Sequence, residues 1–151
     1  YCGHTQRYYS VAEHSVLMSA YVEMTPGATP EDVLTVLLHD ASEAYLGDMT
    51  RPLKAIFPAF KDMEEIVHEA VARKFGTHYP HPDWLKELDM RILKDERVQA
   101  MSGESQNDWG LDGVQPLGVK LRFWSPREAE REFLAVFRAC WSKIHPPVVE
   151  E

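Results

Sequence analysis

Apolar positions recur at helical spacing in five stretches of this chain. Behind Ser10, with Glu13 three positions on, the run from Val11 to about Met24 predicts a helix opened by a capping box. Thr29-Pro30-Glu31-Asp32 then supplies an N-cap, a proline at the first helical position and two acids in the first turn. That second helix is expected to run to about Leu46, where Gly47 can take the left-handed conformation that closes it. A third helix fits about Ala59 to Phe75, ended by Gly76, with Met63, Val67, Ala70 and Val71 near one face. Pro80 and Pro82 lead into a fourth that reaches about Met101, its stripe formed by Trp84, Leu85, Leu88 and Ile92. Between Ser102 and Gly118, four glycines and no periodicity predict a loop with freedom to move. Val119 to Phe123 has the composition of a short strand, though one strand alone buries nothing. Ser125-Pro126 with Glu128 repeats the capping signature and opens a last helix ending near His145-Pro146. Five or more helices with no linker and no internal repeat predict one compact all-α domain over residues 1–151.

Composition supports a packed domain. The chain has 151 residues, 44% hydrophobic and 26% charged, enough to enclose a core. No apolar run approaches the roughly 20 residues that cross a bilayer. Cys2 and Cys140 lie near opposite ends, and a core of this size needs no disulfide, so a reducing cytoplasm is expected. The net charge of −8, with no Lys/Arg run, excludes a protein that grips a nucleic-acid backbone. A small phosphorylated substrate stays open, because a metal and a few local cations offset its charge. The chain opens on Tyr-Cys-Gly without an initiator Met, and a preceding N-terminal segment is expected.

Chemistry concentrates at Leu37-Leu38-His39-Asp40-Ala41-Ser42-Glu43. A carboxylate late on an apolar helix is costly to bury without a partner. Neighbouring helical residues differ by about 100°, so His39 and Asp40 can reach one point beside the helix. Imidazole nitrogen with carboxylate oxygen suits a divalent transition ion. An adjacent His-Asp pair arises by chance in about one chain of this size in seven to ten, and its ordinary reading is a salt-bridged surface pair. His14, among Val11, Val16 and Leu17, taken singly reads as a satisfied core histidine. Asp89, between Leu88 and Met90, taken singly reads as an acid paired with Arg91 or Lys86. Together the four supply two imidazoles and two carboxylates from three helices, enough to hold a catalytic metal with open positions. Glu43, one turn after His39, can reach a water at such a metal, and Asp48 follows just past the helix end. His78-Tyr79-Pro80-His81 lacks acidic partners and reads as a solvated loop, while His68 and His145 read as exposed helix and tail. Trp84 and Trp141 read as core, and Trp109 as a residue of a closing loop.

The set His14…His39-Asp40…Asp89 resembles the H…HD…D signature of the HD-domain phosphohydrolases. Tyr9-Ser10-Val11-Ala12-Glu13-His14-Ser15-Val16 is similar to the first-ligand helix of that family's small nucleotidase branch. The run from His39 to Asp48, followed by Arg51-Pro52-Leu53-Lys54, resembles its HD-x-x-E…GD…P-x-K segment. Asp89 to Leu93 with Glu96 is similar to its last-ligand helix, and Trp124 to Leu134 to its C-terminal helix. Within the branch, the likeness is greatest to enzymes that strip phosphates from deoxyadenosine nucleotides and to 5′-deoxynucleotidases. The family usually carries an arginine and an aromatic residue in the nucleotide pocket, from a segment before the first ligand, and that arginine is expected in a segment preceding Tyr1.

This resemblance implies an HD-type fold and metal-dependent hydrolysis of deoxynucleotides, with dATP as first substrate and dADP and dAMP behind it. It implies His14, His39, Asp40 and Asp89 as ligands of Co²⁺, Zn²⁺ or Mn²⁺, with a second divalent ion such as Mg²⁺ on a triphosphate. Glu43 and Asp48 would handle protons, and Lys54 and Arg51 would bind phosphate oxygens. Pro52, Tyr1, Cys2 and His4 fall in the region of the nucleotide pocket, though Pro52 also reads as a plain turn residue and Arg51 as a solvated cation. A homo-oligomer, dimer or hexamer, is expected, in the cytoplasm of a free-living or phage-infected bacterium. Alternatives are a 5′-deoxynucleotidase, a hydrolase of alarmones or cyclic nucleotides, and a non-catalytic helical module stabilised by metal.

Overall fold

The computed structural model describes residues 5–101 and 109–147, and of residues 51 and 52 the backbone alone. Among these the fold is all-α. Its helices are α1 (Val11–Glu23), α2 (Pro30–Leu38), α3 (Glu43–Leu46), α4 (Arg51–Ile56), α5 (Pro58–Phe75), α6 (Asp83–Ala100) and α7 (Pro126–Ile144). None is long and apolar enough to cross a membrane.

The helix in the middle is α2. Its residues Val33 to Leu38 are all buried, which suits a run whose one polar side chain, Thr35, donates to the Glu31 carbonyl, and both α1 and α7 pack on it. Val16, Met18, Leu34, Leu37, Ile92 and Cys140 join α1, α2, α6 and α7 in one core cluster. Thr29 with Asp32 and Ser125 with Glu128 form complete capping boxes, as their spacing predicts. Gly76, at φ 70°, ends α5 in the left-handed conformation that favours glycine.

The second helix does not run on to Leu46. It stops at Leu38, and the chain tightens through residues 39–42 before α3. The His39 ring explains the break: its Nδ1–H donates to the Val36 carbonyl at 2.7 Å, the acceptor that a continuing α-helix would use for Asp40. Three-residue hydrogen bonds follow, Ala41 to Leu38 at 3.0 Å, Glu43 to Asp40 at 3.0 Å and Ala44 to Ala41 at 3.3 Å. The short helix α4, with proline in its first turn, is likewise not predicted by the periodicity of the chain.

Ser10 caps α1 by accepting from the Glu13 N–H, but Glu13 does not close a capping box. Its fully buried carboxylate accepts three successive backbone N–H groups instead, from Arg122 (2.6 Å), Phe123 (2.9 Å) and Trp124 (2.8 Å). Turning three N–H groups toward one carboxylate requires a kinked backbone, and Phe123 sits at φ 54°. Residues 119–123 are therefore an anchored extended segment and not a strand. Gln99 serves as their side-chain partner, accepting from the Leu121 N–H and donating to the Val119 carbonyl. The preceding loop is tied to α6 as well, so the expectation of freedom fails for its described part. Lys94 donates to Leu111 and Val114, Arg91 to Gln115 and Pro116, and Asp95 accepts from Gly118.

Replacing Glu13 with Ala leaves three N–H groups without their acceptor. At about 1.5–3 kcal/mol per bond to a charged group, partly recovered by water, a loss of roughly 3–5 kcal/mol is expected. Urea unfolding measures it, and a loss under about 1 kcal/mol would show the anchor to be incidental.

Candidate metal centre

Three side chains from three places in the fold meet at one point, and Asp40 stands against the two imidazoles among them. His14 comes from the second turn of α1, His39 from the end of α2, Asp40 from the turn beyond it and Asp89 from α6. His14 Nε2 lies 3.4 Å from His39 Nε2, 3.7 Å from Asp40 Oδ2 and 3.7 Å from Asp89 Oδ1. His39 Nε2 is 3.4 Å from Asp40 Oδ2. One donor atom each of His14, His39 and Asp89 falls within 4.8 Å of the others, and Asp40 Oδ2 forms a second trio with the two imidazoles.

These separations fit a divalent ion. With metal–ligand bonds near 2.0–2.2 Å and angles between right and trigonal, donor atoms lie about 3.0–3.7 Å apart. The ring orientations fit too. Each Nδ1–H is spent on an acceptor, the Val36 carbonyl for His39 and Glu96 Oε1 for His14, both at 2.7 Å. That arrangement leaves Nε2 of both rings as the donor atom at the centre, with the outer hydrogen bond characteristic of metal-bound imidazole. The tight turn after α2 matters here. It replaces the simple 100° helical offset and still carries Asp40 back beside the His39 ring.

Charge also converges. Burial would push the His14 pKa down, but hydrogen-bonded Glu96, then Asp40 and Asp89, raise it to about 9. Burial likewise works against ionised Asp40, and His39, His14, Lys54 and His68 together hold its carboxyl below the usual range. The centre is an anionic pocket that favours a positive charge at its middle.

Glu43 opens α3 beside this pocket. Burial first, then the Asp40 and Asp48 carboxylates, push its pKa up to about 7 against the opposing charge of Lys54. Asp48 lies exposed just past Gly47, close enough to act on Glu43. Lys54 is near enough to stabilise the Asp40 anion, but its ammonium is held by Glu64 at 2.7 Å and lies over the Phe60 ring. Tyr1, Cys2 and His4 are outside the described residues, and so are the side chains of Arg51 and Pro52.

Glu96 is an important residue whose role the apolar pattern of the chain does not predict. It is fully buried, and its Oε1 accepts both the His14 Nδ1–H and the Tyr9 hydroxyl, each at 2.7 Å. A signal existed: seven residues after Asp89, it returns to the same face of α6. His68 is half-buried rather than exposed, with Nε2 3.1 Å from Ser42 Oγ and its ring against His81. His81 is half-buried in that cluster too, and burial with His68 and His39 holds its pKa down to about 4. His78 does read as a surface residue, paired with Asp32 at 3.1 Å. Trp84 is 39% exposed at the rim of a groove with Tyr21 and Arg91, not core, while Trp141 packs against the core and Trp109 is half-buried.

No family model matches the chain. It is 36% identical over 112 residues to the uncharacterized protein YfdR of Escherichia coli, a match covering 74% of this chain and 54% of that one. It therefore spans about half the length of that relative. It is 31% identical over 137 residues to the uncharacterized protein RCAP_rcc00048 of Rhodobacter capsulatus, covering 84% of this chain and 70% of that protein. On that second match, extending over most of both proteins, the chain belongs to the same family as RCAP_rcc00048.

Proposed function

We propose that the chain is an HD-type phosphohydrolase that uses a divalent transition ion to remove phosphate from deoxynucleotides, dATP first among them. The observation that carries this reading is His14 Nε2 with His39 Nε2, Asp40 Oδ2 and Asp89 Oδ1 each 3.4–3.7 Å from it, and an acid of pKa about 7 alongside. When bound there, an ion such as Co²⁺, Zn²⁺ or Mn²⁺ supplies Lewis acidity toward water and a phosphoryl oxygen.

The chain's own residues do the rest. Glu43 takes the proton of the attacking water as its oxygen bonds to phosphorus and the bond to the leaving oxygen breaks. Asp48, whose charge acts on Glu43, is the second acid on this side of the site and serves as acid/base partner or sugar contact. Lys54 exchanges Glu64 for a phosphate oxygen, and Arg51 adds a second cation to the same segment. His14 and His39, clamped by Glu96 and the Val36 carbonyl, need no rearrangement to hold the ion. A purely structural metal site needs no acid poised near neutrality, which weighs against a non-catalytic module.

One observation favours a second reading. Lys54 is already committed to Glu64, so little positive charge is ready for a triphosphate, and a 5′-deoxynucleotidase acting on dAMP needs less. Equal concentrations of dATP, dGTP, ATP and dAMP, each with Co²⁺, Mn²⁺, Zn²⁺ and Mg²⁺ and products read by chromatography, separate the cases. The expected result is fastest turnover of dATP, with ATP slower by about 10²-fold if the site leaves a 2′-hydroxyl unpaired. Equal rates on dATP and ATP would remove the deoxy preference, and a marked preference for dAMP would select the nucleotidase. No hydrolysis with any metal would overturn the enzymatic reading.

A further inference from the structure

Residues 43–66 contribute nothing to either apolar core cluster. Yet of the ten large apolar side chains strongly exposed among the described residues, six lie there: Tyr45, Leu53, Ile56, Phe57, Met63 and Ile66. Leu53 and Ile56 lie at helical spacing on α4, Phe57 sits at the corner after it, and Met63 and Ile66 lie at helical spacing on α5. The two helices pack on each other, and the Phe60 N–H donates to the Phe57 carbonyl at 3.0 Å, which keeps the corner between them tight. The stripes therefore adjoin.

Their size is informative. Allowing about 200 Å² for each such side chain when fully open, the exposed fractions of the five from Leu53 to Ile66 come to roughly 550 Å² of apolar area. A monomeric surface seldom shows more than a few hundred Å² in one patch. A dimer interface of ordinary size takes about 800 Å² from each partner, of which some two-thirds, about 500 Å², is apolar. The patch is thus large enough to form the apolar part of one complete interface. Its edge carries both signs of charge, Lys61 and Glu65 at 3.6 Å, so a copy related by a twofold axis meets opposite charges.

We propose that the exposed face of α4 and α5 is the twofold interface of a homodimer. The same segment carries Glu43, Asp48 and Lys54, whereas His14 and His39 are fixed in the buried core. A second copy on this face braces the part of the site that the core does not hold.

Light scattering at micromolar concentration tests this without reference to activity. The unaltered chain is expected at twice its 17.3 kDa mass, and the double variant Ile56→Asp/Ile66→Asp at the chain mass with unchanged helical circular dichroism. Both side chains lie outside the core clusters, so the fold should tolerate the change. Hydrogen exchange of the unaltered chain at about 1 and 100 μM gives an independent readout: protection should rise with concentration in residues 53–66. A monomer at every concentration, a double variant that still dimerises, or concentration-dependent protection confined to other helices would overturn the proposal.

Discussion

Asp40→Ala is expected to lose its metal and, with it, all measurable hydrolysis. The Asp40 carboxylate stands 3.4 Å from His39 Nε2 and 3.7 Å from His14 Nε2, and it supplies one of only two anionic donors in the set. A bound divalent ion needs that charge as well as the coordination, because the two imidazoles contribute none. After desalting, elemental analysis should fall from one ion per chain to near zero, and product release should fall to background. His39→Ala should behave alike. The fold should survive the Asp40 change, since Asp40 is a third exposed and belongs to neither core cluster. Full turnover by metal-free Asp40→Ala protein would remove the metal from the reaction.

Glu43→Gln should have the opposite pairing of effects: metal retained, rate lost by about a hundredfold or more. That factor corresponds to about 2.7 kcal/mol in the barrier. The carboxylate is the basic form, so kcat/KM should fall on the acid side as Glu43 takes up a proton. The raised pKa of about 7 sets the upper limit for that midpoint, and a bound cation, acting in the same direction as Lys54, moves it lower. In the Gln variant this acid limb should flatten. Loss of the metal would instead make Glu43 a ligand, and an unchanged pH profile would give the proton to another group.

What could be read from the sequence was governed by local spacing. The caps at Thr29 and Ser125 and the glycine at 76 depend on residues within a few positions, and each stands where the pattern puts it. The all-α architecture follows from the same periodicities. His14, His39 and Asp89 are brought together with Asp40 against the two imidazoles, although the periodicity predicts a continuing helix where the turn between His39 and Asp40 stands. That turn depends on a side chain competing for a backbone acceptor, which helix propensity does not register.

The misreadings share a long sequence separation. Glu13 looks like the partner of Ser10, but its acceptors are best used by backbone more than a hundred positions away. The glycine-rich segment looks loose because its bonds go to Lys94, Asp95 and Gln99 on α6, whose own helical pattern does not announce them. Glu96 looks like one more polar residue until His14 and Tyr9 are placed on its carboxylate. His68 and His81, ordinary alone, meet only when α5 and the loop before α6 are packed together.

Diffraction from crystals grown with Co²⁺, recorded at the cobalt absorption edge, tests the centre most directly. A single anomalous peak is expected, about 2.0–2.2 Å from Nε2 of His14 and of His39, Oδ2 of Asp40 and Oδ1 of Asp89. The absence of a peak among these four atoms, or a cobalt ion held elsewhere while they stay apart, would contradict the assignment.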